Sequence, residues 1–374
     1  MNEPTNPAER GETNHELSAM QCPLPHAQKH VITMAHGGGG SVMHQLINEH
    51  LLPSLNHTGT NGDHISGQHD ATVLEIGATR IAMTTDSFVV QPIWFPGGDI
   101  GSLAIHGTVN DLAMAGAIPQ YISVGLILEA GFPIDELDKL MQSMGRAAAA
   151  CGVHIVTGDT KVVERGKGDK IYINTAGIGV VPDNLDIHPR HIRDGDCLIV
   201  SGDIARHGMA VMALREELEF ETTITSDSAS IASSVRTLCE SGVNVRCLRD
   251  LTRGGLASAL CELAGHTGLT LEIRESEIPV RHDVRSACEL LGFDPLYVAC
   301  EGRFLAVVPE RDAQEALNCL RRHARHADEH QDLPATIIGR VRGNATRGEV
   351  HAETPLGTKR LITMLSGEQL PRIC

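Results

Sequence analysis

Short runs rich in β-branched residues alternate with amphipathic runs from Val31 onward in this 374-residue chain, and the alternation breaks once, at residues 182–195. Interleaved periods of two and 3.6 restrict the chain to layers of sheet and helix, because each element must bury its apolar face against a partner layer. Strands are predicted at 72–76, 81–85, 121–128, 153–157 and 171–181 before the break, and at 197–201, 269–273, 303–308 and 336–342 after it. Helices are predicted near 133–151, 208–219, 228–241, 255–265 and 312–325. In the clearest, Ile134, Leu137, Met141, Met144, Ala148 and Cys151 recur at spacings of three and four between Pro133 and Gly152, a stripe that reads as core. Several strands follow one another too closely for a crossover helix, so some pairing is antiparallel. The predicted class is α/β plus α+β.

Single cores stop growing near about 250–300 residues, so two domains are expected. We place a disordered extension at 1–30, where polar residues show no apolar periodicity, an α/β domain at 31–182, an α+β domain at 183–345 and a C-terminal tail at 346–374. A net charge of −16 with only 3% aromatics and no basic run excludes a nucleic-acid footprint. Ten cysteines form no C-x-x-C pair and mostly sit among apolar neighbours, as thiols do in a reducing compartment. Without a membrane-length apolar run or a signal peptide, the expectation is a cytoplasmic protein with no membrane association.

Candidate chemistry lies in three places. Gly37 to Gly40 precede Ser41 and a helical run, so the backbone N–H groups of Gly38, Gly39 and Gly40 form either a phosphate cradle or a merely flexible connection. Aspartates end several apolar segments: Asp70, Asp86, Asp111, Asp159 and Asp250. One Asp beside Gly or Thr is usually a turn or cap, but carboxylates without intervening His or Cys suit a hard cation such as Mg²⁺ bridging to polyphosphate. The third is the terminus, Pro371-Arg372-Ile373-Cys374, where a thiol beside a cation, with few packing neighbours expected, is either a chemical handle or the chance end of a solvated tail.

The run Phe95-Pro-Gly-Gly-Asp-Ile-Gly-Ser-Leu-Ala-Ile-His-Gly-Thr-Val-Asn-Asp-Leu-Ala-Met-Ala-Gly-Ala-Ile-Pro119, preceded by Thr85-Asp-Ser-Phe-Val-Val, resembles the signature of the HypE family, the carbamoyl dehydratases of nickel–iron hydrogenase maturation. The resemblance continues through Gly158-Asp-Thr-Lys-Val-Val163, the segment Val200 to Met209, Arg249-Asp-Leu-Thr-Arg-Gly-Gly-Leu256, Cys300-Glu-Gly302 and the terminal Pro-Arg-Ile-Cys, covering about residues 31–374. It implies the PurM-like fold shared with aminoimidazole ribonucleotide (AIR) synthetase and selenophosphate synthetase, with ATP bound between the paired N-terminal domains of a homodimer. It implies that Asp70, Asp86, Asp111 and Asp250 hold Mg²⁺–ATP, with Asn110, Asp159 and Thr160 in the same site. It further implies that Cys374 accepts a carbamoyl group from HypF, that ATP drives dehydration to a thiocyanate, and that the nitrile passes to iron on a HypC–HypD scaffold. Lys161 and Glu301 match positions near the thiocarboxamide, and Arg253 is a candidate to orient phosphate or tail. Buried side by side, a Lys and a Glu could exchange a proton near neutral pH.

The final ten residues can span at most ~33 Å, enough to bring Cys374 into its own site or out to a partner. Two other readings are weaker. Selenophosphate synthesis uses a Cys or selenocysteine beside the glycine loop, and here the nearest cysteine is Cys22, in the predicted extension. A metal carrier could use His323, His326 and His330, spaced i, i+3 and i+7, although Arg321, Arg322 and Arg325 between them suit a solvated face.

Overall fold

The alternation resolves into two sheets in the computed structural model, which describes residues 31–55, 69–217, 224–327, 333–343, 348–365, 367 and 372–374. The predicted extension at 1–30, Cys22 within it, and His330 lie outside these residues. Met34–Cys374 form one compact unit. It opens with helices α1 (Ser41–Leu46) and α2 (Leu52–Leu55), joined by a π-helical turn. Strands β1 (Thr72–Ile76), β2 (Thr79–Phe88), β3 (Trp94–Phe95) and β4 (Gly98–Asp99) lead into α3 (Ile100–Met114). Then come β5 (Ile118–Glu129), α4 (Ile134–Cys151), β6 (His154–Val163) and β7 (Ile171–Val180). These make a five-stranded sheet in the order β1-β2-β7-β5-β6, antiparallel except for the β5–β6 pair, with β3–β4 as a separate hairpin.

After the loop at 181–196 follow β8 (Cys197–Val200), α5 (Arg206–Arg215), α6 (Ala232–Glu240), β9 (Cys247–Asp250), α7 (Gly255–Thr267) and β10 (Thr270–Arg274). The chain continues through α8 (His282–Leu291), β11 (Phe304–Val308), α9 (Ala313–Ala327), β12 (Thr336–Arg342), β13 (Val350–Glu353) and β14 (Lys359–Ile362). The second sheet runs β14-β13-β10-β12-β8-β11-β9, with β10–β13 its parallel pair. Both halves are therefore mixed, as expected. One correction concerns the tail: residues 350–362, assigned to it by the sequence, pair into this sheet, because Val350 and Ala352 alternate inward onto its core.

The helix α4 begins after Pro133 and ends on Gly152 at φ +70°. Of its stripe Met144 and Ala148 are buried and Leu137, Met141 and Cys151 pack half-buried on the core, with Leu140 and Ala147 buried beside them, while Ile134 at its first position is 69% exposed and is not core. The helix α3 was not anticipated: Ile, Leu, Val, Ala and Met lie all around it, without a polar face to mark it. Such a helix is buried on every side, and 12 of its 15 residues are. Asp99 caps it, accepting the Gly101 and Ser102 N–H groups at 2.8 and 3.0 Å. Because α3 packs on β2 and β7 while Ala113 and Met114 join the core of the second sheet, it carries Asn110 and Asp111 to the seam between the halves.

Candidate active site

Three carboxylates converge at that seam: Asp70 before β1, Asp111 on α3 and Asp250 at the end of β9 offer oxygens within 4.8 Å of one another. Thr84 Oγ1 donates to Asp111 Oδ2 at 2.8 Å. The Arg249 guanidinium bonds Asp70 and reaches Glu262 at 2.5 Å, which in turn meets His44 at 3.1 Å. Burial, together with the charges of Asp250 and Asp86, pushes Asp111 well above the carboxylate range. Burial also raises Asp250 and Asp86, against the pull of Arg249 on the first and Arg253 on the second. Packed acids this close share protons unless a cation offsets them. The buried Asp70 Oδ2 has no protein partner, so an all-oxygen set with an open acceptor fits Mg²⁺. Among the described residues no other group of three acids, histidines or cysteines approaches so closely. Asp86, on β2, stands beside the trio with Oδ1 4.0 Å from Arg253 Nη2.

Other predicted contacts fall elsewhere. Asn110 is a clamp: its amide nitrogen donates to the Ala229 and Glu301 carbonyls at 3.0 and 3.3 Å, and its oxygen accepts the Ile231 N–H at 2.9 Å. The glycine run packs against the chain itself. A side chain at Gly39, where φ is +74°, would strike Arg253 at 2.8 Å, and Ser41 N–H at the start of α1 donates to the Leu365 carbonyl at 2.9 Å. That helix end is thus capped from within the chain. Gly37 and Gly38 line, with Arg253, Tyr297, Ala299 and Cys374, a cavity of about 60 Å³.

The terminal residue lines this cavity. Ile373 is buried and Cys374 half-buried, against the expectation of few packing neighbours. The nearby cation is Arg253 and not Arg372, whose guanidinium pairs with Asp169. Burial raises the Cys374 thiol, Arg253 pulls it down, and Glu301, Asp86 and Asp250 raise it further. Glu301 lies in a tight turn: a side chain at Gly302 would fall 1.9 Å from the Asp227 carbonyl. Its Oε1 is buried without a partner, and burial with Asp250, Asp86 and Asp227 lifts its carboxyl well above the usual range.

Lys161 does not lie beside Glu301 in one chain. It sits on the edge strand β6, bonded to Asp159 at 2.6 Å, and both side chains are about 70% exposed. Register explains this. Ser87, Asn174, Gly125 and Asp159 share one face of the sheet, whereas Asp86, Thr175 and Val124 share the face covered by α3. Two residues on from Asp159, Lys161 points away from α3, while Thr160, between them, is exposed on the other side. Of the three-histidine face, only the His323 side chain is described; it meets Ser233 and Thr237 hydroxyls at 3.2 and 3.4 Å.

The sequence missed His207, Ser226, Asp169 and Arg215, which hold the tail. His207 stood within a motif quoted above, but its partner, the Ile373 carbonyl at 2.8 Å, is 166 residues away, a separation that no local pattern reports.

Residues 68–181 match the family described as AIR synthase related protein, N-terminal domain, and residues 193–350 the corresponding C-terminal domain. The chain is 47% identical over 343 residues to the carbamoyl dehydratase HypE of Azotobacter vinelandii, covering 92% of this chain and 97% of that one. Among solved structures it resembles HypE in a HypE–HypF complex, with TM-score 0.76 and 40% identity, over 84% of this chain and all of that one. HypE in complex with ATP matches with TM-score 0.74 and 43% identity, over 92% of this chain and all of that one. No helix among the described residues is long and apolar enough to cross a membrane.

Proposed function

The chain belongs to the HypE family of carbamoyl dehydratases of hydrogenase maturation, and from that membership we propose that it dehydrates a carbamoyl group carried on Cys374 to a thiocyanate with ATP, supplying the cyanide ligands of a nickel–iron hydrogenase. The observation that carries this reading is that Cys374 and Arg253 line one cavity, with Glu301, Asp86 and Asp250 near enough to act on the charge of the thiol. The adjoining cavity has room for a carbamoyl group.

An amide oxygen is a poor leaving group. Phosphorylation of the carbamoyl oxygen breaks the γ-phosphate's bond to ADP and releases one N–H proton to solvent, and loss of the second N–H proton and the C–O bond then leaves a nitrile on sulfur and frees phosphate. Asp70, Asp111 and Asp250 would hold Mg²⁺, which when bound neutralises charge on the transferring phosphoryl group. Arg253 orients the phosphate and tail. Glu301, with an unpartnered oxygen in a dry turn, takes an amide proton. Asp86 holds Arg253 in place.

We assign Lys161 a role across a subunit boundary. The sheet face away from α3 exposes Met83, Tyr121, Ile127 and Ile178, apolar side chains that a second copy would cover. The edge strand with Asp159, Thr160 and Lys161 would then meet the paired chain. In this reading a HypF-type carbamoyltransferase loads the tail in its outward position, and a HypC–HypD scaffold in the cytoplasm receives the nitrile. Incubation with carbamoyl donor, HypF and ATP, followed by intact-mass measurement, tests it. The adduct is expected on Cys374 of the wild-type chain; its appearance on another cysteine, or on the Cys374→Ala chain, refutes it.

A further inference from the structure

The last three residues are held as a ligand is held. The Arg372 carbonyl accepts from Gln91 N–H at 3.2 Å and Arg215 Nη2 at 3.0 Å, and the Cys374 carbonyl accepts from Val89 N–H at 3.0 Å. Arg372 Nε returns a bond to the Val89 carbonyl at 3.2 Å, while its guanidinium pairs with Asp169. The side chain of Ile373 enters a cluster with Phe88, Val90 and Ile93. Main-chain pairing beyond the end of β2, with a pocket for one side chain, is the physics by which proteins recognise extended peptides.

His207, at the start of α5, is fully buried and has no part in the chemistry above. Its Nε2 is 2.8 Å from the Ile373 carbonyl oxygen and its Nδ1 is 2.8 Å from Ser226 Oγ. The Ser226 oxygen already accepts the Ser228 N–H at 2.9 Å, and Ser226 is tied by its own N–H to the Pro96 carbonyl at 2.8 Å. The Ile373 carbonyl can only accept, so the ring proton sits on Nε2 and is donated to it, and Nδ1 accepts the Ser226 hydroxyl hydrogen. The ring edge of Phe95, 5.3 Å away at 87°, packs the imidazole in this orientation. The ring is thus placed by contacts made outside the tail.

We propose that residues 89–91, Asp169, His207 and Arg215 form a peptide-binding seat selective for an Arg-Ile-Cys C-terminus, which also takes a separate peptide of that sequence. His207 is its positioning residue: it registers the Ile373 carbonyl and so sets the next residue, the thiol, against Arg253 and Glu301. The consequence for the reaction rests on Cys374 as the carrier; the binding selectivity does not.

The test titrates a chain lacking residues 372–374 with synthetic Pro-Arg-Ile-Cys. Saturable binding is expected, weaker by about tenfold or more for Pro-Ile-Arg-Cys and for the His207→Leu chain, and partly restored by His207→Gln, whose amide can donate to the same carbonyl. In the full-length chain His207→Leu should speed alkylation of Cys374 by about tenfold with ATP affinity unchanged. Should His207→Leu fail to fold by circular dichroism, Ser226→Ala, which removes the bond that orients the ring, should shift both readouts in the same direction. Absence of peptide binding, equal binding of the scrambled peptide, or alkylation unchanged in the folded variants overturns the proposal. A wild-type chain that binds the peptide yet never forms a carbamoyl adduct leaves the seat standing and removes the reading of the reaction.

Discussion

At Asp111 stability and function pull in opposite directions. Buried against Asp250 and Asp86, its carboxyl is held well above the usual range, so without a cation its surroundings favour the protonated form. Asp111→Asn keeps a hydrogen on that side and removes a buried acid. The variant should therefore melt at or slightly above the wild-type temperature, while ATP hydrolysis falls by about a hundredfold or more. Calorimetry and phosphate release decide it, and normal turnover would displace the metal site. Glu301→Gln should leave ATP binding and carbamoyl loading intact but accumulate the thiocarboxamide on Cys374, visible in the intact mass as a species that does not lose water.

The helix α3 makes a second kind of prediction. Its His106 contacts Ser228 Oγ at 3.2 Å, and burial holds the imidazole down at about 4, against the opposing charge of Asp99. An unfolded chain protonates this residue near the ordinary value of 6.5. As pH falls from there toward 4 the unfolded state gains a proton that the folded state refuses. Stability is fully present above this window and lost within it, on the order of 1.4 kcal/mol per pH unit. Denaturant melts at intervals across the window should show a shallower slope in His106→Gln than in wild type; equal slopes would mean that the ring is protonated in the folded state.

For the whole molecule, the decisive geometry is the separation of Lys161 from Glu301 within one chain. If Lys161 serves the paired subunit, Lys161→Ala and Cys374→Ala chains, each inactive alone, should regain part of the wild-type cyanate yield when mixed, since a mixed dimer assembles one complete site. No recovery on mixing would confine Lys161 to its own chain. Ile127, 44% exposed on the face of β5 away from α3, tests the interface: Ile127→Glu should shift the sedimentation coefficient toward the monomer and abolish turnover while each chain keeps its circular dichroism.

Much was legible in the residues alone. The strands β1 and β12 were read end to end, and α4 to within a residue, because period, a starting proline and a terminal glycine are local signals. The acids at strand ends and the terminal cysteine stood out by chemistry and position. The helix α3 was illegible because a helix buried on all sides has no amphipathic signature, and β13 and β14 because they pair on an edge that β10, distant in sequence, supplies. Which acids meet, which cation faces the thiol and which face of the sheet Lys161 takes were settled by cross-strand register and by contacts between residues more than a hundred positions apart. Local sequence sets backbone propensity and side-chain chemistry, but proximity across the chain exists only after packing has closed the loops between distant segments.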